Sequence, residues 1–101
     1  MLTQEEDDLS DPVVQLAILR EQARRNVYRL GRAKTSLKLA NTKMTARRLN
    51  LGRQRTKPGM TRAKFSLGRS EVWVVNRRLN LCHRRTALDK SKADIRRLLA
   101  S

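Results

Sequence analysis

Residues suited to metal binding, disulfide formation or acid–base chemistry are few in this chain of 101 residues. Its one cysteine, Cys82, excludes an internal disulfide. The one histidine, His83, adjoins it, but no second pair of ligands completes a zinc site. Paired acids, a nucleophile–base set, glycine-rich nucleotide motifs, and C2H2 or aromatic RNA-binding signatures are missing. The sequence therefore predicts a protein that is not an enzyme, with no metal, no cofactor and no small-molecule substrate.

Aromatic residues and long apolar runs are also scarce. Tyr28, Phe65 and Trp73 are the three aromatics. A chain of this size buries only roughly 60–70% of its unfolded surface, so we expect a helical structure stabilised by a partner or by self-association. No apolar run approaches the length of a membrane span, about 20 residues. The sequence therefore predicts no membrane partner. The acidic N-terminus is unlike a signal peptide or a typical transit peptide and favours an intracellular protein.

Acidic residues become rare after the N-terminus. Lys and Arg total 24 against 9 Asp and Glu, for a formal net charge of +15. Beyond Asp11 the acids are Glu21, Glu71, Asp89 and Asp94. A compact chain so charged repels itself unless an anion neutralises it, and nucleic acid is the commonest such partner. Arg outnumbers Lys 17 to 7; because guanidinium binds phosphate bidentately and stacks on bases, RNA is favoured over DNA. A GC-rich coding sequence is the alternative explanation for the Arg content.

The first half of the chain predicts one long helix. Residues 1–10 are predicted to be a flexible acidic leader and residues 11–101 a single basic helical domain. The leader's acids either complement the following helix dipole or compete with phosphate for arginines. Asp11-Pro12 is a good helix start, and the helix is expected to run to about Leu51. Gly31 is the position where it bends, or breaks into a hairpin.

One stripe of this helix repeats at spacings of three and four, as a packing face does. Its members are Leu16, Leu19, Ala23, Asn26, Leu30, Ala33, Leu37, Ala40 and Met44.

Glycine, proline and serine residues that often mark helix ends divide the second half into shorter predicted segments. We expect Gly52 to end the first helix in a left-handed cap, and residues 53–59 to form a basic connector with a turn at Pro58-Gly59. Residues 60–67 predict a short helix stopped by Gly68. A second long helix is then expected from Glu71 to Leu99, capped by Ser70, with a break near Thr86 because Thr86 and Asp89 resemble a capping box.

Within that second long segment, Val72–Val75 have strand propensity but lack a partner strand, so they are predicted to be helical. One apolar face comprises Val72, Val75, Leu79 and Cys82, and another comprises Leu88, Ile95, Leu98 and Leu99. The predicted fold class is all-α: a long N-terminal helix, a basic turn, and one or two further helices in an extended helical hairpin or bundle.

An arginine motif occurs twice. Residues 47–56 (RRLNLGRQRT) and 77–86 (RRLNLCHRRT) share seven of ten positions. Each copy is predicted to provide an Arg pair, an apolar anchor at Leu49 or Leu79, and a further arginine. On a helix, Arg77 with Arg84 and Arg78 with Arg85 form two rows that can follow a phosphate backbone.

A third cluster, from Arg20 to Arg32, contains Arg pairs four residues apart, which destabilise a helix unless an anion binds. Tyr28, within it, is either a phosphate or base contact or an ordinary surface tyrosine. The predicted nucleic-acid-binding residues from the three clusters are Arg20, Arg24, Arg25, Arg32, Arg47, Arg48, Arg53, Arg55, Lys57, Arg77, Arg78, Arg84 and Arg85.

Two segments resemble a known family. Residues 43–49 (KMTARRL), followed by Lys57-Pro58, and residues 9–17 (LSDPVVQLA) are similar to segments of nodavirus double-stranded-RNA-binding silencing suppressors, over about half the chain. The resemblance implies an antiparallel helical dimer that binds one face of an RNA duplex, with Lys43, Arg47 and Arg48 facing RNA. This chain departs from the family in being more basic and in having a long Arg-rich second half.

These observations favour a non-enzymatic RNA-binding protein that contacts phosphate backbone or duplex shape. It would be either a ribonucleoprotein component with protein neighbours or a viral duplex binder acting as a homodimer. Two alternatives remain: a DNA-binding helical dimer, either a regulator or an accessory factor, and a scaffold or adaptor whose basic surface meets an acidic protein.

Overall fold

Two long α-helices make up the part of the protein that the computed structural model describes, residues 11–101. Helix α1 spans Pro12–Arg53 and helix α2 spans Lys57–Ala100, and the two pack as a hairpin. No strand occurs among residues 11–101. The predicted all-α class is therefore confirmed. The predicted acidic leader lies outside the described residues.

Helix α1 begins as the sequence predicts. The Val13 backbone N–H donates to Asp11 Oδ1 at 2.9 Å, and Pro12 occupies the first helical position, where no N–H is needed. The predicted end is wrong in detail, because Gly52 lies inside the helix and no residue among 11–101 has a positive φ. The Gln54 N–H instead donates to the Leu51 carbonyl at 3.2 Å, which ends the helix without a left-handed cap.

Helix α2 begins earlier than predicted. The Thr56 hydroxyl accepts from the Gly59 N–H at 3.2 Å and so caps the helix that starts at Lys57. Pro58 and Gly59 therefore lie in the first turn, where a proline costs no hydrogen bond, and the predicted turn at this pair is wrong. The connector is reduced to residues 54–56.

The predicted interruptions do not occur. Helix α1 is unbroken at Gly31, and α2 runs through Gly68, Ser70 and Thr86, so the separate short helix and the break near residue 86 are wrong. A helical glycine costs about 1 kcal/mol relative to Ala, which the packing of a long helix face outweighs. The prediction that Val72–Val75 are helical is confirmed.

Contacts divide the chain into two compact units. The turn unit is Gly31–His83, which contains the connector. Among the described residues, the terminal unit comprises residues 11–30 together with Arg84–Ser101.

In the turn unit the two helices meet through small side chains. Ala33, Ala40 and Ala63 are buried, and Ser70 is 1% exposed. Within the described residues Ser70 Oγ has no hydrogen-bond partner, so the small volume of Ser70, rather than its polarity, explains its place. Val74 and Leu81 supply the larger buried side chains. Small residues at the contact let the helix backbones approach closely, which fixes this face of each helix against the other.

In the terminal unit the contact combines leucines with one polar pair. Leu88 and Ser91 of α2 are buried. Asn26 Nδ2 donates to Ser91 Oγ at 2.6 Å and to the Ala87 carbonyl at 3.4 Å. Asn26, the polar member of the predicted stripe, thus joins the helices by hydrogen bonds.

The predicted stripe of α1 is confirmed, because every member is buried or half-buried. The two predicted faces of α2 differ: Leu88 is buried and Ile95 and Leu98 are half-buried, but Leu99 and the whole Val72–Cys82 face are exposed.

We predict that Gly31→Ala and Gly68→Ala each raise the free energy of unfolding by about 0.5–1 kcal/mol, because alanine loses less backbone entropy in a helix. A Cβ at either position meets nothing within 4 Å. Denaturant unfolding monitored by circular dichroism measures the change. Gly59→Ala is the matched control: its Cβ would lie 2.9 Å from the capping Thr56 Oγ1, so it should gain less or destabilise. Destabilisation by Gly31→Ala would contradict the unbroken α1.

Candidate nucleic-acid interface

The arginines at the start of the predicted Arg20–Arg32 cluster lie on the surface of the terminal unit. Arg20, Arg24, Arg25 and Arg29 are all exposed. Glu21 forms ion pairs with two of them: its Oε2 accepts a hydrogen bond from an Arg24 terminal nitrogen at 3.3 Å, and its Oε1 lies 3.7 Å from Arg25 Nε. Exposed pairs of this kind contribute roughly 0–1 kcal/mol. One carboxylate therefore serves two guanidinium groups, and the cluster keeps a net positive charge.

The same cluster borders a small groove of about 240 Å³, lined by Gln22, Arg25, Asn26 and Arg29. Asn26 is the residue that bonds α1 to Ser91 and Ala87 of α2. Because its side chain is held by both bonds, the backbone that carries Arg25 and Arg29 is anchored at this position. Tyr28 of the same unit is exposed. Arg32, which belongs to the turn unit, is also exposed.

The Arg pairs of the two motif copies are buried in the same pattern, although residues 47–56 end α1 and enter the connector while residues 77–86 lie inside α2. Arg47 and Arg77, the first residue of each pair, are half-buried, whereas Arg48 and Arg78 are exposed. An Arg47 terminal nitrogen donates to the Ser66 carbonyl at 3.0 Å, which joins α1 to α2 within the turn unit. The first arginine of each motif thus takes part in helix packing and the second faces solvent.

The apolar anchors of the motif are different leucines from those predicted. Leu49 and Leu79 are exposed, so the prediction that they anchor the copies is wrong. Leu51 is half-buried and Leu81 is buried. They follow Arg47 and Arg77 by four residues, the spacing that places two side chains on one helix face.

Two cations of the turn unit contact the ring of Trp73. Lys43 Nζ is 4.9 Å from the centroid of its ring and the Arg77 guanidinium carbon is 5.5 Å away, both within the range of a cation–π contact. Arg77 Nε is buried and has no hydrogen-bond partner among the described residues. The Arg77 side chain is therefore held by packing on the ring rather than by a polar partner.

The predicted binding residues separate into two groups by exposure. Half-buried are Arg47, Arg77 and Arg84. Exposed are Arg20, Arg24, Arg25, Arg32, Lys43, Arg48, Arg53, Arg55, Lys57, Arg78 and Arg85.

A lysine-bearing groove of the turn unit was not predicted from the sequence. Its volume is about 470 Å³, and it is lined by Lys34, Leu37, Lys38, Asn41, Thr42, Thr45 and Leu81. The Thr42 and Thr45 hydroxyls donate to the Lys38 and Asn41 carbonyls at 3.0 Å, as helical threonines often do. Lys34 and Lys38 belong to no Arg run, so a search for clustered arginines misses them. Their position beside Leu37 on the packing stripe is the signal that places them at the edge of the contact.

No group of His, Cys, Asp or Glu among residues 11–101 is placed to hold a metal ion. Neither helix has a stretch apolar enough to cross a membrane. Comparison with protein-family models finds no match, and comparisons with curated proteins and with solved structures find none either.

We predict that Arg77→Met raises the free energy of unfolding by about 1 kcal/mol. The substitution removes a buried N–H that lacks a partner, a group that costs about 1–3 kcal/mol, while the thioether still packs on Trp73. Arg78→Met, one residue away and exposed, is the control and should change stability by less than about 0.5 kcal/mol. Thermal and urea unfolding measure both variants. A clear loss of stability in Arg77→Met would show instead that the guanidinium contact with Trp73 outweighs the orphaned donor.

Proposed function

We propose that this protein binds RNA without catalysing a reaction, through contacts between exposed cations and the sugar–phosphate backbone. The observation that carries the proposal is the exposed group Arg20, Arg24, Arg25 and Arg29, which has Glu21 as its carboxylate partner. All 24 Lys and Arg lie in residues 11–101, whereas four of the nine acids lie in residues 1–10. A solvated surface normally mixes both signs, so this imbalance favours a polyanionic ligand.

The arrangement of these arginines suits a row of phosphates. Arg20 and Arg24 share one ridge of α1 and Arg25 and Arg29 share the next, with a rise of about 6 Å between the members of each pair. Like charges four residues apart destabilise a helix by roughly 0.2–0.5 kcal/mol per pair. A bound phosphate backbone removes that penalty and releases its own counterions. The two ridges therefore support backbone contact, and no base-reading element is needed.

Other exposed cations extend the proposed contact chemistry to the turn unit. Lys34 and Lys38 line the lysine-bearing groove, and Arg53, Arg55 and Lys57 lie at or beside the connector, all exposed. Arg47 and Arg77 are assigned to packing instead, because Arg47 bonds the Ser66 carbonyl and Arg77 packs on Trp73. Of the three residues that the nodavirus resemblance implies, Arg48 is exposed and lacks such a packing role, so it is the one we propose for RNA contact.

RNA is proposed over DNA because the basic residues are mainly arginines, which both bind phosphate and stack on unpaired bases. Helices that present cations without a base-reading motif recognise backbone and shape. An A-form duplex or a folded RNA offers such a target.

The test is a salt titration of binding to a short RNA duplex, with wild type and the triple variant Arg20→Gln, Arg24→Gln, Arg29→Gln. Glutamine keeps helix propensity while removing the charge. Because each phosphate contact contributes about −0.9 to the slope of log K against log salt, the triple variant should reduce the slope by about 2–3. The control Lys90→Gln, Lys92→Gln, Arg96→Gln removes the same charge from exposed positions of the terminal unit and should change the slope by less than about 1.

Several outcomes would count against the proposal. Binding that is unchanged between low and high salt would reject a phosphate contact, and equal effects of the two triple variants would reject the Arg20–Arg29 site. A matched DNA duplex that competes better than RNA would favour the DNA-binding alternative. Binding to short duplex RNA as a dimer in sedimentation would favour a viral duplex binder, whereas folding that depends on a larger RNA would favour a ribonucleoprotein component.

A further inference from the structure

Helix α2 carries a second apolar stripe that is exposed. We define the outer stripe as Phe65, Gly68, Val72, Val75 and Leu79, which follow one another at spacings of three and four. Phe65 is 71% exposed, Val72 62%, Val75 53% and Leu79 56%. All five residues belong to the turn unit. Contiguous exposed apolar surface of this kind marks an interaction site more often than a solvated face.

The outer stripe is separate from the face that α2 packs against α1. That packed face contains Ala63, Ser70, Val74 and Leu81, all buried. Seven residues separate Ala63 from Ser70, and the same interval separates Phe65 from Val72 and Val72 from Leu79. The two stripes therefore run in parallel along α2 on different sides. A helix with two apolar stripes is built to contact two neighbours, and α1 accounts for one of them.

The surface around Phe65 is a shallow, open depression on one side of α2. It has a volume of about 750 Å³ and is lined by Thr61, Lys64, Phe65, Gly68, Arg69 and Val72. A Cβ at Gly68 would meet nothing within 4 Å, so the depression is open at this residue. A glycine between Phe65 and Val72 lets the side chains of an incoming helix approach the α2 backbone closely.

Charges flanking the outer stripe indicate what occupies it. Lys64, Arg69 and Arg78 adjoin the stripe and are exposed, while Glu71 is the one acid beside them in residues 64–79. When two helices pair through an apolar stripe, the flanking residues of each face those of the other. A second copy of this chain would set Lys and Arg against Lys and Arg, which is unfavourable. Acidic flanks on a partner helix would complement them.

We propose that the outer stripe docks an amphipathic α-helix of a partner protein, with apolar residues at spacings of three and four and Asp or Glu on both flanks. Phosphate groups would neutralise Lys64, Arg69 and Arg78, and an unpaired base can stack on Phe65. The aliphatic Val72, Val75 and Leu79 would still be uncovered, so RNA does not explain the stripe. The inference stands on α2 and is independent of the proposed RNA contact. The mode is pairing of an amphipathic helix with an exposed helix face, in which apolar anchors supply affinity and flanking charges select the partner.

The experiment measures fluorescence anisotropy of a labelled synthetic helix with Leu at the inward positions and Glu on both flanks. The full chain should bind it saturably. Val72→Gln with Leu79→Gln should weaken binding by at least about tenfold, because it removes two central anchors. The matched control is Leu39→Gln with Leu49→Gln, which removes two leucines that are 52% and 59% exposed on α1 and should change affinity by less than about twofold. All four positions are exposed, and circular dichroism checks that each variant keeps its helices.

Two further peptides test the chemistry of the partner. Replacing the flanking Glu by Lys should abolish binding, and replacing the inward Leu by Gln should abolish it as well. Absence of saturable binding to the Glu-flanked helix, or equal binding of the Lys-flanked helix, would overturn the proposal. If the wild type self-associated reversibly and Val72→Gln with Leu79→Gln removed this association, the occupant would be a second copy of the chain, and the proposal would fail. If Val72→Gln with Leu79→Gln weakened RNA binding but left peptide binding unchanged, RNA would be the occupant of the outer stripe, and the proposal would fail.

Discussion

Close contact between α1 and α2 through small side chains is the constraint on which the turn unit depends. Ala33, Ala40, Ala63 and Ser70 are nearly or fully buried, and none of them is large. Such residues bury little apolar area each, so the helices must approach closely for dispersion to contribute. Close approach then leaves room for long side chains only at the edges of the contact. Arg47 lies at such an edge, and its side chain extends across to the Ser66 carbonyl.

The position of the arginines follows from that packing. Where an arginine lies on the contact face, its aliphatic stem packs and its guanidinium contacts a carbonyl or a ring. The Arg47 guanidinium donates to the Ser66 carbonyl, and that of Arg77 lies over Trp73. Where the arginine lies one residue further, as in Arg48 and Arg78, it is exposed. One motif therefore supplies both a packing residue and a surface cation. Counting arginines in the sequence overstates the number available to a ligand.

The spacing of apolar residues made most of the fold predictable, whereas residues that often mark helix ends led to wrong boundaries. The three-and-four spacing of the α1 stripe located the packing face, Asn26 included, because side-chain spacing and helix geometry agree there. Gly68, Ser70 and Pro58 suggested boundaries that do not exist, since a glycine or serine inside a long packed helix costs about 1 kcal/mol or less and proline is tolerated in the first turn. The candidate site could be predicted only in part from the sequence. The sequence identifies cations, but their exposure depends on which of two helix stripes packs.

That last dependence concerns α2 most directly. Its sequence offers two apolar stripes, one through Val74 and Leu81 and the other through Val72 and Leu79. Volume decides between them: Ala63 and Ser70 allow the first stripe to approach α1 closely, whereas Phe65 at the corresponding place in the second would hold the helices apart. The stripe with the larger side chains is thereby left outside. Phe65, Val72 and Leu79 provide more apolar area per residue than the packed stripe does, and the cations beside them oppose a like-charged neighbour. The residues that shape the hairpin therefore also determine which surface of α2 remains for a partner.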